Sequence, residues 1–415
     1  RFFDMDNNIV YWYHGIDVHG NRETQVFSSE FGDDYDAVPA YEQIYALAGP
    51  IQTYRITGDP RILKDAELTV DLFDRYFLDA EKGGYFSHLD PVTLDPRSDT
   101  LGENLGKKNW NSVGDHAPAY LINLYLATGD ERYAKMLEYT FDTIAEHFPD
   151  YDNSPFVQEK FFEDWSQDQT HMWQQNRGVV GHNLKIAWNL MRMYGLMPKP
   201  EYEALARKIA EVMPSVGADR QRGGWYDVME RVPAPGEKLH RYAFHDRKAW
   251  WQQEQGILAY QIMYGILCDP EYNQLARESA AFYNAFFLDH DDGAVYFNVL
   301  ASGLPYLMGT ERLKGSHSMS GYHSTELCYL SQVYLNLLIT KQPLDLYFKP
   351  YPNGFRNNIL RVAPDILPQG SVKITEVYVN DKPYRYFNAD ELTVTLPESA
   401  SQIRVRVRIA PTQTN

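Results

Sequence analysis

The chain predicts a mainly α fold, an (α/α)6-type toroid followed by a small antiparallel β domain, and three observations lead there. A helix, tight turn, helix pattern recurs through most of the 415 residues, with turns near residues 59, 130, 199 and 269, about 70 apart. A second marker, an Asp followed by a Gly-rich turn into a short aromatic strand, keeps the same interval. From about residue 345 the apolar period drops to two. Recurrent hairpins bury their apolar stripes by stacking on their neighbours, either in an open solenoid or in a closed ring of inner and outer helices. Long aromatic linkers between hairpins favour the ring, because they supply one rim.

The hairpins can be read in order. "LAGPIQTYRITGDPRILKDAELTVDLF", "LINLYLATGDERYAKMLEYTF", "MRMYGLMPKPEYEALARKIAEV" and "QIMYGILCDPEYNQLARESAAFY" each carry apolar residues at spacings of three and four. A charged or Gly-containing turn ends each first helix, and Pro or Glu opens the second. A fifth first-helix, "HSTELCYLSQVYLNLLITKQP", keeps the step. The markers "FLDAEKGGYFSHLD", "VGADRQRGGWYDVM" and "FLDHDDGAVYFNVL" align Asp79, Asp219 and Asp289, and Asp4 of "RFFDMDNNIVYWYHGIDVHGN" aligns with them. Five repeats are therefore expected, the last incomplete, with the first hairpin absent from this chain. Residues 1–344 form the expected toroid and 345–415 the β accessory domain. In the latter, "SVKITEVYVNDKPYRYF", "ELTVTL" and "SQIRVRVRI" read as antiparallel strands packing beside the ring, and the Pro-rich "KPYPNGF" and "APDILPQG" as linker.

Composition narrows the function. With 39 basic against 56 acidic residues the net charge is −17, which repels phosphate backbones and anionic lipid. Nucleic acid, membranes and phosphorylated sugars are disfavoured as partners. No apolar run reaches the roughly 18 residues of a membrane span, and no signal segment is visible, so the cytoplasm is the default expectation. Cys268 and Cys328 lack metal spacing and read as core thiols. Eight Trp, 31 Tyr and 20 Phe suit stacking against sugar rings. Neither a metal nor an organic cofactor is indicated, and a homo-oligomer is left open.

In a ring of this kind the first helices line the bore and their N-termini share one rim. At those starts stand Tyr41 and Glu42, Asp115 and His116, His182, Trp250 and Trp251 with Glu254, and Tyr322 and His323. Three histidines at equivalent places point to one pocket, and the positive potential of a helix N-terminus keeps imidazole neutral. Neutral bases on either side of a carbon suit proton exchange beside a carbonyl, with polar donors holding the enediolate oxygens.

These segments resemble the N-acylglucosamine 2-epimerase and cellobiose 2-epimerase family over roughly residues 8 to 340. "GHNLKIAW" is similar to its Gly-His-Asp-Ile-Glu helix start, "KAWWQQEQG" to its Lys-x-Trp-Trp-x-Gln-x-Glu segment, "GYHSTELC" to its late Tyr-His segment, and "DHAPAYLINLY" to the helix bearing its third histidine. The resemblance implies His182 and His323 as the acid/base pair at C2 of an open-chain aldose and His116 as a helper in ring opening or oxygen binding. It also implies Trp250 and Trp251 as sugar platforms and Glu254 as the group orienting a hydroxyl or an imidazole; Tyr41 and Tyr322 join the substrate-binding set. The implied activity is a cofactor-independent 2-epimerase or aldose–ketose isomerase acting on a neutral mono- or disaccharide. Two departures stand out: Lys185 occupies the place of the family's Glu three residues after the histidine, and the family's first-hairpin arginine has no counterpart here. The rivals are a glycoside hydrolase or lyase on the same ring using Asp115, Glu254 or Glu326, which needs two carboxyls across one bond, and a non-catalytic glycan-binding relative. His14 and His19 read as surface residues, His240 and His245 as rim residues, and "KGSHSMSG" with His317 as a mobile lid.

Overall fold

A computed structural model of the protein describes residues 2–19, 22–26, 37–108, 116–170, 175–308, 314, 319 and 321–412. The hairpins are present and close into the helical toroid that the repeat predicts. Their first helices, α1 (Ala40–Thr57), α3 (Pro118–Thr128), α5 (Val180–Leu196), α7 (Trp250–Leu267) and α9 (Tyr322–Tyr334), form the inner layer. Their partners, α2 (Pro60–Leu72), α4 (Glu131–His147), α6 (Pro200–Val216) and α8 (Pro270–Phe286), lie outside. Helices α5 and α7 are buried around most of their circumference, whereas α4 and α6 bury a single stripe, as expected for helices enclosed on all sides and helices with one wet face.

Three of the four hairpin turns share one construction, the exception being the Met197–Lys199 turn between α5 and α6. A residue in the left-handed region ends the inner helix, Gly58 at φ 64°, Gly129 at 67° and Cys268 at 58°. An Asp then caps the outer helix: Asp59, Asp130 and Asp269 accept from the backbone N–H two residues on, each at 3.0 Å. The two cysteines are exposed rather than in the core, Cys268 because it occupies this surface turn. We expect Asp269→Ala to lower the unfolding free energy by about 1 kcal/mol, the usual worth of an N-cap, with catalysis unchanged; urea titration measures it.

Short antiparallel strands flank the hairpins and fix where the inner helices begin. Val38–Pro39 pairs with His88–Leu89 around α1 and α2, Arg177–Val179 with Val228–Glu230 around α5 and α6, and Arg247–Ala249 with Asn298–Leu300 around α7 and α8. The fourth residue of each of these inner helices is an amide that ties down rim backbone. Gln43 accepts from Trp12 N–H at 2.7 Å and donates to Trp12 C=O at 3.0 Å; Gln253 does the same to Trp225, both at 2.7 Å; Asn183 accepts from Val157 N–H at 3.0 Å. The Asp marker is a staple to the next repeat. Asp79, Asp219 and Asp289 each cap their own turn and receive a lysine ammonium, from Lys108 at 2.8 Å, Lys248 at 3.0 Å and Lys314 at 2.7 Å. Each of those lysines also donates to a glycine carbonyl of the same turn.

The C-terminal segment forms a four-stranded antiparallel sheet in the order Leu344–Phe348, Val405–Pro411, Val372–Val379, Lys382–Pro383, and a three-stranded one of Ile359–Arg361, Thr393–Thr395 and Phe387–Asn388. Its linker does more than connect. Lys349 and Tyr351 donate backbone N–H groups to the last carbonyls of α1. Residues Ala363–Ile366 then enter the end of the ring opposite the strand-built rim. There Arg55 of α1 donates to Ala363 C=O at 2.6 Å, Tyr329 of α9 to Pro364 C=O at 2.7 Å, and Tyr334 to Asp365 at 3.0 Å. Arg192 of α5 grips the Asp365 carboxylate through Nε and Nη2, with both side chains buried. The bore is thus stopped at one end.

Candidate active site

At the strand-built rim, side chains on or just before all five inner helices meet in one cluster. Tyr41 and Tyr45 come from α1, His116 from the residue pair preceding α3, His182 and Lys185 from successive turns of α5, Trp250, Trp251 and Gln255 from α7, and Tyr322, His323 and Glu326 from α9. Ring centroids trace a continuous chain: His116 to His182 5.4 Å, His182 to Trp251 5.2 Å, Trp251 to His323 5.6 Å, His323 to Tyr322 5.0 Å, Tyr322 to Tyr45 4.9 Å and Tyr45 to His116 5.3 Å. Tyr41 lies against His116 at 5.2 Å.

Two residues stand apart from this circuit. Trp250 is buried and packs on Phe297 at 4.5 Å, touching His323 only edge-on at 6.1 Å, so Trp251 is the indole between the histidines. Glu254 is fully buried behind the cluster, where its Oε1 accepts from Tyr283 of α8 and Ser324 of α9, each at 2.7 Å. Burial pushes its carboxyl up to about 7, against the opposing effect of those two hydroxyls. It holds the first turn of α9, and with it His323, rather than facing the centre.

The electrostatics divide the histidines. Burial holds the His323 imidazole well below its ordinary range, and the neighbouring Lys185, His116 and His182 press the same way. Its Nδ1 lies 3.3 Å from the amide nitrogen of Gln255. His182 meets a carboxylate instead, Glu159 Oε2 at 2.8 Å from Nδ1. Glu159 lies in the loop between α4 and α5 and escaped the sequence reading, since no periodicity marks a loop residue 23 positions away. It gives His182 a carboxylate partner from outside its own helix. Lys185 itself is buried, its ammonium 3.5 Å from Tyr45 Oη and 5.3 Å from the Tyr322 ring centroid.

Glu326 accepts from Tyr322 Oη at 2.8 Å. His14 bonds Glu42 at the rim, His240 bonds Glu230 C=O at 2.7 Å, and His245 lies on the Tyr306 ring at 4.8 Å. Asp115, His317 and the side chain of His19 lie outside the described residues, and with them the lid expectation. Among the described residues no three His, Cys, Asp or Glu side chains converge as metal ligands, and no helix is long and apolar enough to cross a membrane.

The helical toroid thus gathers histidines from separate inner helices around one tryptophan. The model of the N-acylglucosamine 2-epimerase (GlcNAc 2-epimerase) family matches residues 108–306, a stretch that carries His116, His182, Trp250, Trp251 and Glu254. Among solved structures, the fold is similar to cellobiose 2-epimerase from Bacillus thermoamylovorans, at 17% identity and TM-score 0.62 over 80% of this chain and 77% of that one. It is similar as well to cellobiose 2-epimerase from Spirochaeta thermophila, at 19% identity and TM-score 0.62 over 80% and 76%, and to a D-mannose isomerase, at 19% identity and TM-score 0.60 over 72% of each. No curated protein matches the chain.

Proposed function

We propose that the protein interconverts neutral sugars at C1 and C2, as a 2-epimerase or aldose–ketose isomerase, by proton exchange through an enediolate. The observation that carries this reading is the arrangement of His116, His182 and His323, from three separate repeats, around the Trp251 indole. The lone pair of an imidazole takes the acidic proton beside the open-chain carbonyl, and hydrogen-bond donors in the same pocket hold the developing oxygen charge. His182 is the base, with Glu159 fixing its tautomer and steadying the imidazolium that forms. His323 faces it across Trp251, the apolar wall on which a sugar face stacks. His116, between Tyr41, Tyr45 and His182, is placed to assist ring opening or to bind a hydroxyl, and Tyr322 completes the wall. No organic cofactor is called for by these steps.

Of the carboxylates named for the hydrolase alternative, Glu254 is engaged with Tyr283 and Ser324 and Glu326 with Tyr322, while Asp115 lies outside the described residues. Incubation with mannose, glucose, N-acetylglucosamine and cellobiose in heavy water tests the proposal. Loss of the C2 proton signal from at least one sugar is the expected result, with that loss suppressed in His323→Ala. Sugar binding without any exchange would instead leave a glycan-binding protein.

A further inference from the structure

We infer that His323 serves as a neutral hydrogen-bond donor through Nε2–H to the enediolate oxygens, that Gln255 is the residue imposing this tautomer, and that His182 alone carries the carbon-bound proton. The inference rests on the function proposed above and gives that site a direction.

It follows from a relay of groups with restricted roles. The Trp188 indole N–H can only donate, and it lies 2.8 Å from Gln255 Oε1. That contact makes the facing amide atom the oxygen, whichever way the amide is named, so the NH2 group faces His323 Nδ1 at 3.3 Å. An NH2 group donates, so Nδ1 accepts, and the proton of the neutral ring sits on Nε2. At His182 the logic reverses: the Glu159 carboxylate can only accept, so Nδ1 carries the proton and Nε2 the lone pair. The two imidazoles are held in opposite tautomers, one poised to take a proton and one to offer a hydrogen bond.

The surroundings keep His323 uncharged. It is the second residue of α9, at the positive end of the helix. Facing it are Lys185 and His182 from α5, His116 before α3, Trp250, Trp251 and Gln255 from α7, and Tyr322 and Glu326 from its own helix, with Tyr45 of α1 behind Tyr322. The single carboxylate among these, Glu326, is 4.0 Å from Nδ1 and already accepts from Tyr322. A neutral imidazole is a poor proton source for carbon but an effective electrophile for a carbonyl oxygen, as in triosephosphate isomerase.

The reaction balances with one base. His182 Nε2 removes the C2 proton and returns it to C1, while the O2 hydroxyl proton passes to O1 as the His323 Nε2–H gives its proton to one oxygen and takes it from the other. Both histidines end as they began, and the aldose has become a ketose. Epimerisation would need a second base on the opposite face of C2, a role the Nε2–H tautomer of His323 cannot fill.

Two readouts test this. In 15N-histidine NMR spectra, assigned by loss of signals in His182→Asn and His323→Asn, His323 should stay neutral with its proton on Nε2 from pH 8 to below 6.5, and His182 should show the Nδ1–H form. A charged or Nδ1-protonated His323 at pH 7 overturns the inference, whatever the activity. With C2-deuterated mannose and glucose, the ketose should form at least tenfold faster than the epimer and should carry label at C1. Gln255→Glu keeps the acceptor for Trp188 but offers Nδ1 a carboxylate, copying His182 with Glu159, so the epimer share should rise at least tenfold and the acid limb of the rate move to higher pH. Gln255→Met should slow turnover without raising that share. Epimer as the main wild-type product, or an unchanged product ratio in Gln255→Glu, defeats the inference while sparing the proposed function; an enzyme that converts none of the sugars defeats the proposed function.

Discussion

His182→Ala is expected to reduce C2 proton exchange by about 10²- to 10⁴-fold, the usual contribution of a positioned general base, and to leave the ring folded. The effect should be large because the imidazole is held on one side by Glu159 and packs on the other against His116 and Trp251, so that three separate elements fix its position. It should be confined to catalysis because the side chain is partly exposed at the rim and contributes little to the core. The measurement is exchange in heavy water beside a urea unfolding curve. Undiminished exchange in the variant would remove His182 from the mechanism, and a collapsed unfolding curve would make its role structural.

Asp365→Ala is expected to cost about 3–5 kcal/mol, the range for breaking a buried ion pair by removing one partner. Asp365 enters the closed end of the bore from the linker, and its carboxylate is the group that Arg192 of α5 grips there, with Tyr334 donating a further hydrogen bond. Its removal leaves a buried guanidinium without its counter-ion, bonded to the neutral Asn189 Oδ1 at 3.1 Å. Arg192→Leu combined with Asp365→Leu should recover much of the loss, because the charge and its desolvation disappear together. Turnover per folded molecule should change little, since Arg192 lies ten residues, about 15 Å of helix, below His182. Urea titration of the single and double variants decides it; a cost under about 1 kcal/mol for Asp365→Ala would mean that the linker merely lies against the ring.

The sequence by itself determined the repeat, the toroid and the positions of the three histidines. Each of these is written in local periodicity: apolar spacing of three and four marks buried helix, and the Gly-Asp-Pro turn residues mark where each helix must stop. The tertiary structure alone decided what those histidines touch. Glu159 reaches His182 across 23 positions, Gln255 reaches His323 across 68, and Asp365 reaches Arg192 across 173. None of the three shows as a pattern, because a contact between residues far apart in the chain is set by closure of the ring. The same closure turned Glu254 away from the centre, put Trp251 rather than Trp250 between the imidazoles, and sent the linker into the bore. Periodicity records which face of a helix is buried, and only the assembled ring records against what.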